Sequence, residues 1–269
     1  MAIPLTVAAP AAAAALAYLN AKSSLFYDLT LLRFGLSAAG RIFYRQHKDR
    51  LNHFYLLESW ALAPSHANHD LILFEGKRHT YAQVYDRVLR YGTWLRERHG
   101  VRKGDIVAMD FHNSDTFIFV WFALWHIGAK PAFINYLLTG KALAHCVKVS
   151  TAKLCLIDPT LASAFEDETV KSQLEGVKLV VFTPQLEAEA MAAEAVRRPD
   201  EDRSEDDMAN MAVLIYTSGT TGLPKPAIVS WGKCTVGATM GHSLLRLNRN
   251  EIIHTVSQAS LLLSCPRVP

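Results

Sequence analysis

One stretch constrains this chain more than any other: residues 211–231, Met-Ala-Val-Leu-Ile-Tyr-Thr-Ser-Gly-Thr-Thr-Gly-Leu-Pro-Lys-Pro-Ala-Ile-Val-Ser-Trp. Residues 212–216 are apolar, with β-branched and aromatic members, and read as a buried strand. Residues 227–230 are apolar again and read as a second strand. Between them lies a small, hydroxyl-rich turn. Gly219 and Gly222 permit backbone angles closed to other residues and let a ligand approach the main chain. Thr217, Ser218, Thr220 and Thr221 add hydroxyls, and Lys225 adds a positive charge. Successive N–H groups in such a turn can form an anion-binding nest. Composition alone leaves two readings open. One is a solvated hairpin turn. The other is a polyphosphate cradle, in which a lysine–phosphate hydrogen bond contributes about 1.5–3 kcal/mol. A Walker A loop is excluded, because Leu223 and Pro224 separate Gly222 from Lys225.

The rest of the chain reads as alternating strands and helices. Residues 70–74, the turn 75–78 and residues 79–81 form an expected hairpin. Thr80 and Gln83 have capping-box spacing and open a helix that ends near Gly100. Val84, Val88, Tyr91 and Leu95 share one face of it. A strand at 106–109 follows. Asn113 or Ser114 then caps a very apolar helix at 117–127, ended by Gly128. At about 14 residues that helix is too short to cross a bilayer and reads as buried. A strand at 130–134, a helix at 140–149, a strand at 154–157, a helix near 161–174 and a strand at 178–182 complete the pattern. The fold class is therefore α/β, with layered, mostly parallel sheets and flanking helices. Residues 185–207 run from alanine and glutamate into an almost wholly charged segment, read as a solvated excursion.

The first 50 residues differ. Residues 1–21 carry no side-chain charge, and ten of them are alanine. Pro4 and Pro10 are expected to confine a helix to the part after residue 10. Leu25, Phe26, Leu29, Leu32, Phe34 and Leu36 are followed by Arg41, Arg45, Lys48 and Arg50. That order reads as a membrane-surface anchor, with a helix packed on the domain as the alternative. Two units are expected: 1–50 as the anchor and 51–269 as the α/β domain. A net charge of +3, with no basic stripe, gives no reason to expect nucleic acid. The cysteines at 146, 155, 234 and 265 lack zinc-ligand spacing, and no metal site is expected. His126 reads as a core histidine, and His242 stays unassigned, with approach to an acyl or nucleotide site as the lesser of its readings.

The ten residues 216–225, Tyr-Thr-Ser-Gly-Thr-Thr-Gly-Leu-Pro-Lys, resemble the phosphate-loop signature of the AMP-forming adenylate enzymes. Residues 226–231 and the block 121–136, Trp-Phe-Ala-Leu-Trp-His-Ile-Gly-Ala-Lys-Pro-Ala-Phe-Ile-Asn-Tyr, resemble the fatty acid transport protein branch, which comprises very-long-chain acyl-CoA synthetases, and its fungal members above all. The resemblance covers roughly residues 25–256. It implies a partial N-terminal domain of an adenylate-forming enzyme, preceded by a membrane-associated helical segment. It implies ATP, Mg2+ and coenzyme A as cofactors, and a long or very long fatty acid and a membrane as partners. The location implied is intracellular and membrane-associated: endoplasmic reticulum, peroxisome, lipid droplet or plasma membrane. Thr217, Ser218, Gly219, Thr220, Thr221, Gly222 and Lys225 are implied to hold the β- and γ-phosphates of ATP, with Tyr216 packed beneath the loop.

The family's later motifs have no counterpart here. These are the adenosine and magnesium loop, the ribose aspartate, and the C-terminal domain with its catalytic lysine. The chain is therefore expected to be a fragment, marginal in stability and inactive alone, and no catalytic residue is assigned. Residues 257–269 depart from the family pattern, as a changed reading frame, a retained intron or a gene-model break would make them. The alternative function is a non-catalytic, membrane-associated remnant that binds nucleotide, acyl chain or a partner.

Overall fold

A computed structural model describes residues 5–217 and 222–244. Helices α1 (Leu5–Ser23), α2 (Leu25–His47) and α3 (Phe54–Ala61) precede a hairpin of β1 (Asp70–Phe74) and β2 (Lys77–Thr80). The hairpin turns through Glu75 and Gly76, both at positive φ, the backbone that a tight two-residue turn needs. Thr80 then caps α4 (Tyr81–His99): its hydroxyl accepts from Gln83 N at 3.3 Å, and its own N–H donates to Gln83 Oε1 at 2.9 Å. This is the capping box expected, and such a cap contributes about 1 kcal/mol. Val84, Val88, Tyr91 and Leu95 are all buried along one face.

Among the described residues, six strands build the main sheet. They are β3 (Ile106–Asp110), β4 (Lys130–Phe133), β5 (Leu154–Ile157), β6 (Lys178–Val181), β7 (Met211–Thr217) and β8 (Lys225–Ser230), in the spatial order β6-β5-β3-β4-β7-β8. All neighbours run parallel except β7 and β8. The chain leaves β3 toward β4 and returns across it to β5, so β3 and β5 send their connections in opposite directions.

Helix α5 (Asp115–His126), capped by Ser114, packs with α4 on one face of the sheet. Its Phe117, Phe119, Trp121, Leu124 and Trp125 are buried on all sides. Burial of side chains this size stabilises by about 1.5–3 kcal/mol each, which is why so apolar a helix needs no lipid. Trp125 Nε1 donates to Ala212 O at 2.9 Å and ties α5 to β7. On the opposite face, α6 (Gly140–Val149) and α7 (Glu168–Gln173) form a second core with Ala108, Cys155 and Ile157.

Several expectations are corrected. Helix α1 runs through Pro10 instead of starting after it. The loss is one backbone hydrogen bond, to the carbonyl of Thr6, and the helix continues on both sides. The single helix expected near 161–174 is a 3-10 turn, Pro159–Phe165, followed by the short α7. Asp158 and Asp167 each accept a backbone N–H two residues on, and so restart the chain twice. Lys225 begins β8 instead of sitting in the turn.

The largest correction concerns the charged segment. After α8 (Pro184–Ala192), residues 197–207 are not a solvated excursion. They form a strap bound by ion pairs. Arg197 pairs with Glu58 at 2.6 Å and Asp200 at 2.7 Å. Arg50 reaches Asp200 at 2.7 Å, Arg96 reaches Asp202 at 2.9 Å, and Lys130 reaches Asp206 at 2.9 Å. Arg203 is fully buried. Its guanidinium lies 4.7 Å from the centre of the Phe54 ring and 5.0 Å from that of Tyr55, and donates to His126 O and Arg198 O. Burial pushes the Asp200 carboxyl up, but hydrogen bonds from Arg197 and Arg50 outweigh it and hold it at about 2. Arg197, Asp200, Asp202 and Asp206 each meet a counter-charge from outside the segment, which holds the strap against the domain.

The N-terminal segment is helical, as expected. Ala38 and Ile42 of α2 are buried, and α2 packs against α9 (Trp231–Leu244). Phe26, Leu29, Leu32 and Leu36 of the same helix are exposed. Among the described residues, no helix is long and apolar enough to cross a membrane.

Candidate functional site

The turn at the end of β7 is the place where sheet geometry gathers the expected phosphate ligands. Strand β7 is seated by Ala212, Val213 and Leu214, all buried, and rises to an exposed Thr217. Strand β8 pairs back onto it with Thr217 opposite Lys225, the last pair of the ladder. The hydroxyl and the ammonium therefore face the same mouth, and both residues are exposed. Among the described residues β8 has one neighbour, which leaves room for Pro226 in it. Gly222 has φ +86, a conformation that L side chains avoid, and among the described residues nothing lies within 4 Å of where a Cβ would stand. Thr217, Gly222 and Lys225 are thus brought to one turn. Ser218, Gly219, Thr220 and Thr221 lie outside the described residues.

Tyr216 sits below this mouth. Its hydroxyl donates to Cys146 O at 2.7 Å, against the second core. Burial pushes its phenol well above the ordinary tyrosine range. His145, the preceding residue of α6, meets Pro224 O through Nε2 at 3.2 Å. Sequence reading missed His145: its partner is 79 residues away, and nothing local distinguishes it.

Two other titratable groups are set by burial. His126 is fully buried, and its Nε2 accepts from Arg198 N at 3.0 Å. Burial first, then Arg203 and its arginine neighbours, hold this imidazole neutral, well below the ordinary range. It is the core histidine expected, fixed under the strap. His242 falls on α9, and its side chain lies outside the described residues.

Asp110, at the C-terminal end of β3, is also buried, and its Oδ1 accepts no hydrogen bond among the described residues. Burial, with a smaller contribution from Asp158, raises its carboxyl to about 7. Its signal in the sequence is a carboxylate closing an otherwise apolar strand. Among the described residues, no group of three or more His, Cys, Asp and Glu could hold a metal ion.

A two-faced, mostly parallel α/β sheet with a glycine- and threonine-rich turn between β7 and β8 defines a layered α/β protein. Residues 59–263 match the family model of the AMP-binding enzymes, and the chain belongs to that family. It is 36% identical over 204 residues to a very long-chain fatty acid transport protein of Saccharomyces cerevisiae, covering 71% of this chain and 30% of that one. To the protein of the same name from Cochliobolus heterostrophus it is 31% identical over 235 residues, covering 86% of this chain and 36% of that one. The chain thus spans roughly a third of the length of these relatives. In fold it is similar to an anthranilate CoA ligase in complex with anthranoyl-AMP, with a TM-score of 0.61 at 20% identity, over 70% of this chain and 36% of the ligase.

Proposed function

We propose that this chain carries the phosphate-loop part of an AMP-forming ligase that activates a long or very long fatty acid. The observation that supports this best is the facing pair Thr217 and Lys225 at an exposed turn whose Gly222 leaves room for a ligand. In this reading the carboxylate of the acid attacks the α-phosphate of ATP. An acyl-adenylate forms and pyrophosphate leaves. Coenzyme A thiolate then displaces AMP, and the thioester traps the acid on the side where it was made, which draws uptake forward. The leaving pyrophosphate gains negative charge. Thr217, Ser218, Gly219, Thr220, Thr221, Gly222 and Lys225 meet that charge with hydroxyls, N–H groups and an ammonium already in place. Magnesium arrives with the nucleotide in this reading, and no step is routed through it. The names of the relatives, very long-chain fatty acid transport proteins, support the choice of substrate.

Binding of Mg–ATP by calorimetry tests the loop assignment. Lys225→Ala is expected to weaken binding about 10- to 100-fold, the loss of one charge-assisted hydrogen bond. Unchanged affinity removes the turn as the phosphate site.

We infer further that residues 1–50 form a separate unit lying on a membrane surface, with 51–269 as the α/β domain. The exposed apolar residues of α2, Phe26, Leu29, Leu32 and Leu36, support this, together with the basic residues Arg33 and Arg41 on the same helix. Replacing Leu29, Leu32 and Leu36 by serine is expected to release the chain from anionic vesicles in a flotation assay. Flotation equal to that of the unaltered chain counts against the assignment.

A further inference from the structure

We propose that His145 is a positioning residue for the turn between β7 and β8, and that α6 holds that turn at both ends. This rests on reading the turn as the phosphate loop.

The observation is a pair of adjacent tethers. Tyr216 is the last residue before Thr217, and its hydroxyl donates to Cys146 O at 2.7 Å. Pro224 is the last residue before Lys225, and its carbonyl meets His145 Nε2 at 3.2 Å. A carbonyl has no proton to give, so Nε2 is the donor and carries the hydrogen. Two consecutive residues of one helix therefore grip the incoming and the outgoing strand, each one residue from the facing pair Thr217 and Lys225.

Helix α6 is suited to this. Leu143, Ala144, Cys146 and Val147 are all buried in the second core, so the helix is a fixed surface. The outgoing strand needs such a surface more than the incoming one. Among the described residues, strand β7 has neighbours on both sides, whereas β8 is paired only with β7. Among the described residues the ladder ends at Thr217 and Lys225, so Pro224 lies beyond it, and His145 is the partner described for its carbonyl. Proline has no N–H, which leaves this carbonyl as the only main-chain hydrogen-bonding group at that residue. The bond from His145 fixes where Lys225 leaves the turn. A cation held in place before its ligand arrives binds more tightly than one ordered on binding.

The test uses the full chain. Hydrogen exchange of peptides covering 217–226 is measured without nucleotide, and Mg–ATP affinity is measured beside it, for the unaltered chain, His145→Gln, His145→Asn, His145→Leu and Lys225→Ala. Glutamine carries its amide nitrogen at the reach of Nε2, and asparagine falls one carbon short. His145→Asn and His145→Leu are expected to speed exchange at 222–226 and to weaken ATP binding about five- to tenfold, the loss of one neutral hydrogen bond. His145→Gln is expected to restore most of both. Lys225→Ala is expected to weaken ATP binding while exchange stays as in the unaltered chain. Exchange at 222–226 that is the same in all three His145 variants and the unaltered chain overturns the proposal. So does equal loss in His145→Gln and His145→Asn, because a merely space-filling histidine would behave that way. If ATP does not bind the unaltered chain but exchange follows the donor, the tether stands and the phosphate reading falls.

Discussion

Gly128→Ala is expected to lower the stability of this chain by about 3–5 kcal/mol, seen as a large fall in the urea midpoint. Two effects combine. Gly128 has φ +76, where an L side chain costs about 1 kcal/mol. The larger effect is contact with the strap. A Cβ at this position would fall far inside contact distance of the Asp202 carbonyl oxygen and 2.9 Å from its carbon. Both are backbone atoms, so no side chain can swing aside. The strap itself has to move, and it is pinned on either side of Asp202. The Asp202 carboxylate pairs with Arg96 at 2.9 Å and Arg198 at 3.2 Å. The next residue, Arg203, donates to His126 O and Arg198 O from a fully buried position. Lifting the strap strands those carbonyls and uncovers the Phe54 and Tyr55 rings. A loss of only about 1 kcal/mol would mean that the strap yields, and that its ion pairs hold it loosely.

Asp110→Asn is expected to stabilise the chain above neutral pH, by an amount that vanishes toward pH 4. The folded carboxyl sits at about 7, raised first by burial and then by Asp158, against an ordinary 3.8. Between these values the folded chain keeps a proton that the unfolded chain releases. Stability therefore falls as pH rises from about 4 to about 7, and levels off above. A displacement of that size corresponds to about 4 kcal/mol. Asparagine cannot ionise, so it escapes this loss while remaining polar and buried. The difference in urea midpoint between variant and unaltered chain, followed from pH 4 to pH 8, isolates Asp110 from every other titrating group. A flat difference would mean that a donor meets Oδ1 and holds the carboxylate charged. Asp110 also acts on its neighbours. Burial first, with Asp110 adding to it, raises the Cys146 thiol to about 11 and carries Cys155 well above the ordinary range, so both stay protonated.

Local signals carried much of the fold. Thr80 and Gln83 announce their helix because both partners lie within one turn. The bounds of α6 and β5 match the sequence reading residue for residue, since periodicity and flanking turns are near-neighbour properties. The facing of Thr217 and Lys225 follows from a hairpin register set over a few residues. The charged segment was misread for the opposite reason. Arg197 and Glu58 are 139 residues apart, and without its partner a run of charges looks like a solvated one. His145 was illegible in the same way, because a distant carbonyl gives it its character, whereas Asp110 left a signal, a carboxylate closing an apolar strand, whose meaning burial decides.

The sequence alone determined the alternating α/β pattern from residue 70 to 157, the make-up of the turn at 217–225 and the family that carries it, because these depend on residue type at short range. Only the tertiary structure decided that α6 bonds to both ends of that turn, that Arg203 is buried within a strap of paired charges, and that burial raises the Asp110 carboxyl to about 7. Each of these depends on which distant residues fill the space around a polar group, and on how much water they displace.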